Sequence, residues 1–262
     1  MLLYRVLSAM VGIPVMLFLV WYGGIPFSAA LFLLVVVAIL EMSRFCRKVG
    51  LRIWLPGAVG AGTVYVTVVQ WGGGNYLGAA LFAAVVMNLI YLIKTYPSFS
   101  LADMAVNLFV PLYSGWLLTH LISIRHLPDG FHFVILVLAA TWSTDTFAYF
   151  VGSNLGRRKL APSLSPNKSI EGALGGVVGS VSAALVTGLI KHPVPLVHYI
   201  IIGLLVGIAG QVGDLVESAF KRLAGVKDSG SVIPGHGGVL DRFDSLILTA
   251  PVVYYYLSII VL

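Results

Sequence analysis

The chain is 262 residues long, 59% hydrophobic and 10% charged, with a formal net charge of +6. A soluble domain carries about 25% charged residues, so this composition, with a mean hydropathy of +0.98, excludes soluble folds and predicts an integral membrane protein. The length suits about nine spans of about 20 residues joined by short connections, with no room for a large soluble domain.

The expected fold is therefore all-α, a polytopic membrane bundle of about nine transmembrane helices. Residues 6–21 follow Arg5 and resemble a secretory signal, but no small-residue cleavage site follows, so they read as a retained first span. The next apolar run, 26–43, ends at the basic cluster Arg44, Arg47, Lys48 and Arg52. Spans three and four occupy 54–72 and 76–96, separated by the turn-forming Gly72-Gly73-Gly74-Asn75. Span five is 103–124, and Arg125 to Gly130 form a loop before span six at 131–151. That span is uncharged until Asp145, near its end. A polar connection, 152–172, leads to span seven at 170–190, whose glycines allow close helix contact. Span eight, 196–220, has glycines at 203, 207 and 210 on similar spacing, and span nine is 245–262.

If nine spans alternate, Arg5 and the loops near 44–52, 94–100, 152–170 and 221–243 share one side. Fourteen of the sixteen Lys and Arg residues then fall there, and only Arg125 and Lys191 lie opposite. The positive-inside tendency places that side in the cytoplasm, with the N-terminus inside and the C-terminus outside. No basic, aromatic-laced face suits a nucleic acid. The single cysteine, Cys46, can form neither an intrachain disulfide nor a Cys-type metal site.

The most polar stretch, Asp214 to Asp244, carries five acids and four cations between two apolar runs. On a helix, Asp214, Glu217, Ser218 and Lys221 fall at i, i+3, i+4 and i+7 and line one stripe. A carboxylate in mid-span costs about 2.5–3.5 kcal/mol on insertion scales, so this stripe should face a wet cavity or a partner. A structural Glu217–Lys221 pair is the bland alternative. Asp145 sits near a helix C-terminus, where negative charge is disfavoured, whereas Glu171 sits where an acid meets the helix dipole favourably. Cations interleaved with acids over 221–244 suit a metal–phosphate site: Mg²⁺ takes one or two carboxylates and phosphate oxygens, and Lys and Arg neutralise the rest. Asp241 and Asp244 point the same way on a helical turn, and Asp214 can approach them from the adjoining helix. Gly235-His236-Gly237-Gly238 lets backbone N–H groups approach a phosphate, although a lone loop histidine is more often solvated than catalytic.

These residues resemble the phosphatidate cytidylyltransferases, also called CDP-diacylglycerol synthases. The run SAFKRLAGVKDSGSVIPGHGGVLDRFD, residues 218–244, follows the family signature at each defining position. DTFAYFVG (145–152) and SPNKSIEG (165–172) are similar to two other stretches habitual in that family. Residues 1–100 agree only in being membrane-spanning, and read as packing helices or a homodimer contact beside a catalytic region at 101–262. The resemblance implies transfer of a cytidylyl group from CTP to phosphatidic acid with Mg²⁺, and leaves room for a second metal ion. It points to Asp214, Asp241 and Asp244 as metal ligands, with Asp145 as a further acid. Lys221, Arg222, Lys227 and Arg242 would hold phosphates. Asn167, Lys168 and Ser169 would contribute from the earlier loop, with Tyr149, Gly237 and Gly238 also toward substrate. Asp228 and His236 would position or shuttle protons. The implied setting is the inner (plasma) membrane, with the site facing the cytoplasm. Rival readings are a CTP-dependent polyprenol or phytol kinase, with His236 or Asp228 as base, and an ion transporter, since intramembrane acids also mark ion pathways.

Overall fold

Backbone N–H and C=O groups in a bilayer must be satisfied within their own segment, so apolar runs of this length become helices. The computed structural model describes residues 2–72, 76–232 and 237–262, with side chains from residue 10 onward. Nine helices among these residues fall on the nine expected segments: α1 (Leu2–Tyr22), α2 (Gly24–Lys48), α3 (Leu55–Gly72), α4 (Leu77–Thr95), α5 (Leu101–His126), α6 (Gly130–Leu155), α7 (Ile170–Ile190), α8 (Leu196–Leu223) and α9 (Leu240–Val261). Seven of them, α2 and α4 to α9, are long and apolar enough to cross a membrane. In α3, Thr63, Thr67, Gln70 and several glycines dilute the hydropathy. The expected turn at 73–75 lies outside the described residues.

The connection after α6 departs from a plain loop. It folds into an antiparallel pair, β1 (Lys159–Ala161) and β2 (Ser165–Ser169), with Lys159 opposite Ser169 and Ala161 opposite Ser165. Strands of three and five residues are too short to leave a period-two signature in the sequence.

The chain divides into two compact units, one of Met1–Ser123 with Phe220–Arg242 and one of Ile124–Ala219 with Phe243–Leu262. In the first unit α3 packs between α2 and α4. A Cβ on Gly62 would lie 2.6 Å from Ile39 Cδ1, which shows how closely α2 and α3 approach. Ala61, Tyr65, Ala80 and Ala84 form the buried seam between α3 and α4. The link from α2 to α3 is tied to α5, where Arg52 N–H donates to Asp103 Oδ1 (2.7 Å) and Trp54 N–H to Asn107 Oδ1 (2.7 Å). Ser100 and Asp103 close a capping box on the same helix, so Asp103 serves both the cap and the link. Phe220 belongs to this unit as well, its ring against Tyr113 (5.3 Å) and Phe109 (5.9 Å).

The second unit is held by helices that nearly touch. A Cβ on Gly203 of α8 would sit 2.6 Å from Val181 Cα of α7, and one on Gly213 would sit 2.5 Å from the Asp244 carbonyl of α9. Only glycine permits such contact, and backbone packing then substitutes for side-chain burial between apolar helices. At one end His132 Nε2 lies 2.7 Å from the Tyr199 hydroxyl, which donates to the Lys191 carbonyl (3.0 Å). Lys191 in turn pairs with Asp129.

Candidate active site

In the first unit the signature segment is built around Asp241, in the first turn of α9. Its Oδ1 receives the Lys221 ammonium at 2.8 Å, and its Oδ2 accepts from Ser229 N–H (2.8 Å), Ser229 Oγ (2.8 Å) and Gly238 N–H (2.9 Å). Gly237 takes a left-handed φ of 82°, and a Cβ there would lie 2.7 Å from Asp241 Oδ2. α8 ends at Leu223, and Gly225 at φ 65° turns the chain out of the helix, a common way for a helix to stop. Arg222, Lys227, Asp228 and Arg242 are exposed. His236 lies outside the described residues.

A second carboxylate, which the sequence reading passed over, completes this arrangement. Glu41 of α2 is 0% exposed and accepts from Ser229 Oγ (3.0 Å), Val239 N–H (3.0 Å) and Leu240 N–H (2.9 Å). A signal was available: Glu41 is the one acid in an apolar run, and a span tolerates a carboxylate only where it finds partners. Ser229, within the signature but given no role by sequence, joins the two acids.

The second unit holds the other predicted residues, and its hairpin reaches one of them, Asp214. Lys168 Nζ lies 2.5 Å from Asp214 Oδ2, with both side chains partly exposed. Ser169 is buried and caps α7 by accepting from Gly172 N–H at 3.1 Å. Glu171 goes beyond a dipole role: its carboxylate accepts from Arg157 N–H (3.0 Å) and Arg158 N–H (3.2 Å), which fixes the entry to β1. Asn167, Asp145 and Tyr149 are exposed, and the Tyr149 ring meets Phe150. Asp244 Oδ1 accepts from Ser245 N–H (2.7 Å), and Glu217 is fully buried. The structure thus brings Lys221 to Asp241 and Lys168 to Asp214. Among the described residues, no three His, Cys, Asp or Glu side chains gather as a metal cluster.

Fold and site define a polytopic helical membrane protein whose polar segments order acids and cations suited to phosphate groups. The chain belongs to the cytidylyltransferase family, whose model matches residues 3–260. It is similar to the phosphatidate cytidylyltransferase of Bacillus subtilis, at 36% identity over 97% of each chain. It is also similar to the enzymes of the same name from Staphylococcus saprophyticus (34%, over 94% of this chain and 95% of that one) and Synechocystis (32%, over 98% and 96%).

Proposed function

We propose that this chain transfers the cytidylyl group of CTP to phosphatidic acid, giving CDP-diacylglycerol and pyrophosphate. The observation that carries the reading is likeness to phosphatidate cytidylyltransferases along almost the whole chain, with the signature segment folded about a half-buried, lysine-paired acid. A phosphate oxygen of the lipid attacks the α-phosphorus of CTP, and the bond from that phosphorus to the departing pyrophosphate breaks. The lipid phosphate is already an oxyanion, so catalysis consists of alignment and charge neutralisation rather than proton removal. Lys221, Arg222, Lys227 and Arg242 supply the cations that hold phosphate oxygens, and Lys168 and Asn167 contribute from the hairpin. The kinase reading finds no support in the relatives named above.

Mg²⁺ is part of the proposal. Mg²⁺ prefers hard carboxylate oxygens, one or two from protein and the rest from phosphate and water, and Asp214, Asp244 and the further acid Asp145 would supply them, Asp214 by releasing Lys168 or through its other oxygen. Asp241, the remaining predicted ligand, would have to give up Lys221 to bind an ion, because all four groups that hydrogen-bond to it are protein donors. The ion would polarise a phosphoryl oxygen and stabilise leaving pyrophosphate. The excess of Lys and Arg in 152–170 and 221–243 supports a cytoplasmic site at the inner membrane of a bacterial cell. The test is incubation of the purified protein with phosphatidic acid and CTP labelled either in cytidine or at the γ-phosphate. Cytidine label in the lipid is the expected result; γ-label in the lipid, or none, overturns the proposal.

A further inference from the structure

Glu41 stands in the half of the chain that carries no family motif, yet the signature segment closes around it. We propose that Glu41 is a positioning residue for the transfer: its carboxylate holds Ser229, Val239 and Leu240 in place and, through Ser229, sets Asp241 and the Lys221 paired with it. The proposal rests on the function given above.

Three observations carry it. The first is the donor set, since every hydrogen bond described for the buried Glu41 carboxylate comes from the signature segment, 188 to 199 residues away in sequence. Two of those donors, Val239 N–H and Leu240 N–H, stand at the start of α9, where the first N–H groups of a helix lack intrahelical acceptors and the helix dipole favours an anion. Glu41 is in effect a cap supplied by another helix. The second is the fit of the glycines. A Cβ on Gly230 would lie 2.6 Å from Glu41 Oε1, and one on Gly238 would lie 2.5 Å from the same atom and 2.1 Å from Ser229 Oγ. The segment is therefore shaped around this carboxylate, and two of its glycines are needed for that approach.

The third is the link to the predicted site. Ser229 Oγ lies 3.0 Å from Glu41 Oε2 and 2.8 Å from Asp241 Oδ2, and Asp241 N–H donates back to that hydroxyl at 3.3 Å. One hydroxyl has one proton, which it gives to one carboxylate at a time, so displacing either acid disturbs the other. The relay Glu41–Ser229–Asp241–Lys221 connects an N-terminal helix to a cation proposed to hold phosphate. Charge matters here as well as shape. Glutamine has the outline of Glu41 but turns one oxygen into an amide donor. At Oε1 that donor meets Val239 N–H; at Oε2 it meets Leu240 N–H and can bond Ser229 only if that hydroxyl turns its proton to Asp241.

The experiment compares Glu41→Gln, Glu41→Asp, Ser229→Ala and the Glu41→Gln/Ser229→Ala double variant as full-length protein, well below each melting temperature. Kinetics of cytidylyl transfer are measured together with the rate of trypsin cleavage after Lys227. For Glu41→Gln, kcat/KM should fall by about tenfold or more, the kinetic equivalent of leaving a buried donor unmet, and cleavage should accelerate. Glu41→Asp should retain more activity, because it keeps the charge. The double variant should lose little more than its worse parent, since both changes act through one hydroxyl. Unchanged kcat and KM in folded Glu41→Gln protein, even with a lowered melting temperature, would make the residue structural only. Fully additive losses would also overturn the proposal. Should Glu41→Gln not fold, Ser229→Ala decides, and wild-type kinetics in that variant count against the relay. Failure of the function reads out separately: a wild-type protein that loads no cytidine refutes that reading, and trypsin cleavage then decides alone whether Glu41 orders the segment.

Discussion

Replacing Asp241 by Asn tests the site at its most connected atom. The Lys221 ammonium lies 2.8 Å from Asp241 Oδ1, with the two side chains 17% and 8% exposed. At an effective dielectric of about 20, unit charges at that separation attract by about 6 kcal/mol, and desolvation cancels much of it. Removing one partner of a buried pair costs about 3–5 kcal/mol, and the residual exposure favours the lower end, about 3 kcal/mol. Asn would turn its oxygen toward the three donors on Oδ2 and leave its amide facing Lys221; the opposite rotamer opposes three donors with a fourth. A loss of about 3 kcal/mol lowers Tm by about 6–12 °C in a chain of this size. If the same energy is lost from the placement of Lys221, turnover falls by about 100-fold. The assay is cytidylyl transfer at saturating Mg²⁺ beside a melting curve in detergent. Lys221→Met removes the pair from the other side, so the double variant should be no worse than the worse single. Activity within about twofold of wild type, with an unmoved Tm, would refute the reasoning.

Three further outcomes are expected. Gly213→Ala would place a Cβ 2.5 Å from the Asp244 carbonyl, forcing α8 and α9 apart at a cost of about 1–3 kcal/mol; an unchanged Tm would contradict that. Lys168→Ala removes a partly exposed pair worth under about 1 kcal/mol, so Tm should hold while KM for CTP or lipid rises severalfold; unchanged KM for both rejects a phosphate role. Chelation of divalent ions should abolish transfer and Mg²⁺ should restore it, and full activity after exhaustive chelation would remove the metal from the proposal.

The helices were legible because a bilayer leaves so few options for an apolar run: those of the described residues lie on the segments that hydropathy marks out, and seven of them are long and apolar enough to cross a membrane. Close packing along Gly203 was likewise readable from small-residue spacing. The hairpin at 159–169 was not, because its pairing depends on backbone groups that no residue type marks. Asp241 and Lys221 were both singled out as candidate site residues, but their pairing was not, since the sequence had aligned Lys221 with Glu217 on one helical face. Glu41 was missed for a plainer cause: its role depends on donors contributed by a segment far along the chain, and apolar periodicity gives no hint of where a buried carboxylate finds them.

The distance in sequence between Glu41 and its donors has a consequence for biogenesis. A ribosome adds about 5–20 residues per second, so α2 emerges about 10–40 s before Ser229 exists. Throughout that interval the carboxylate lacks the groups that shelter it in the finished protein, and water, headgroups or the insertion machinery must host it. The assembly of the first unit is thus completed only when the start of α9 arrives with the donors that solvate a charge laid down 188 residues before Ser229.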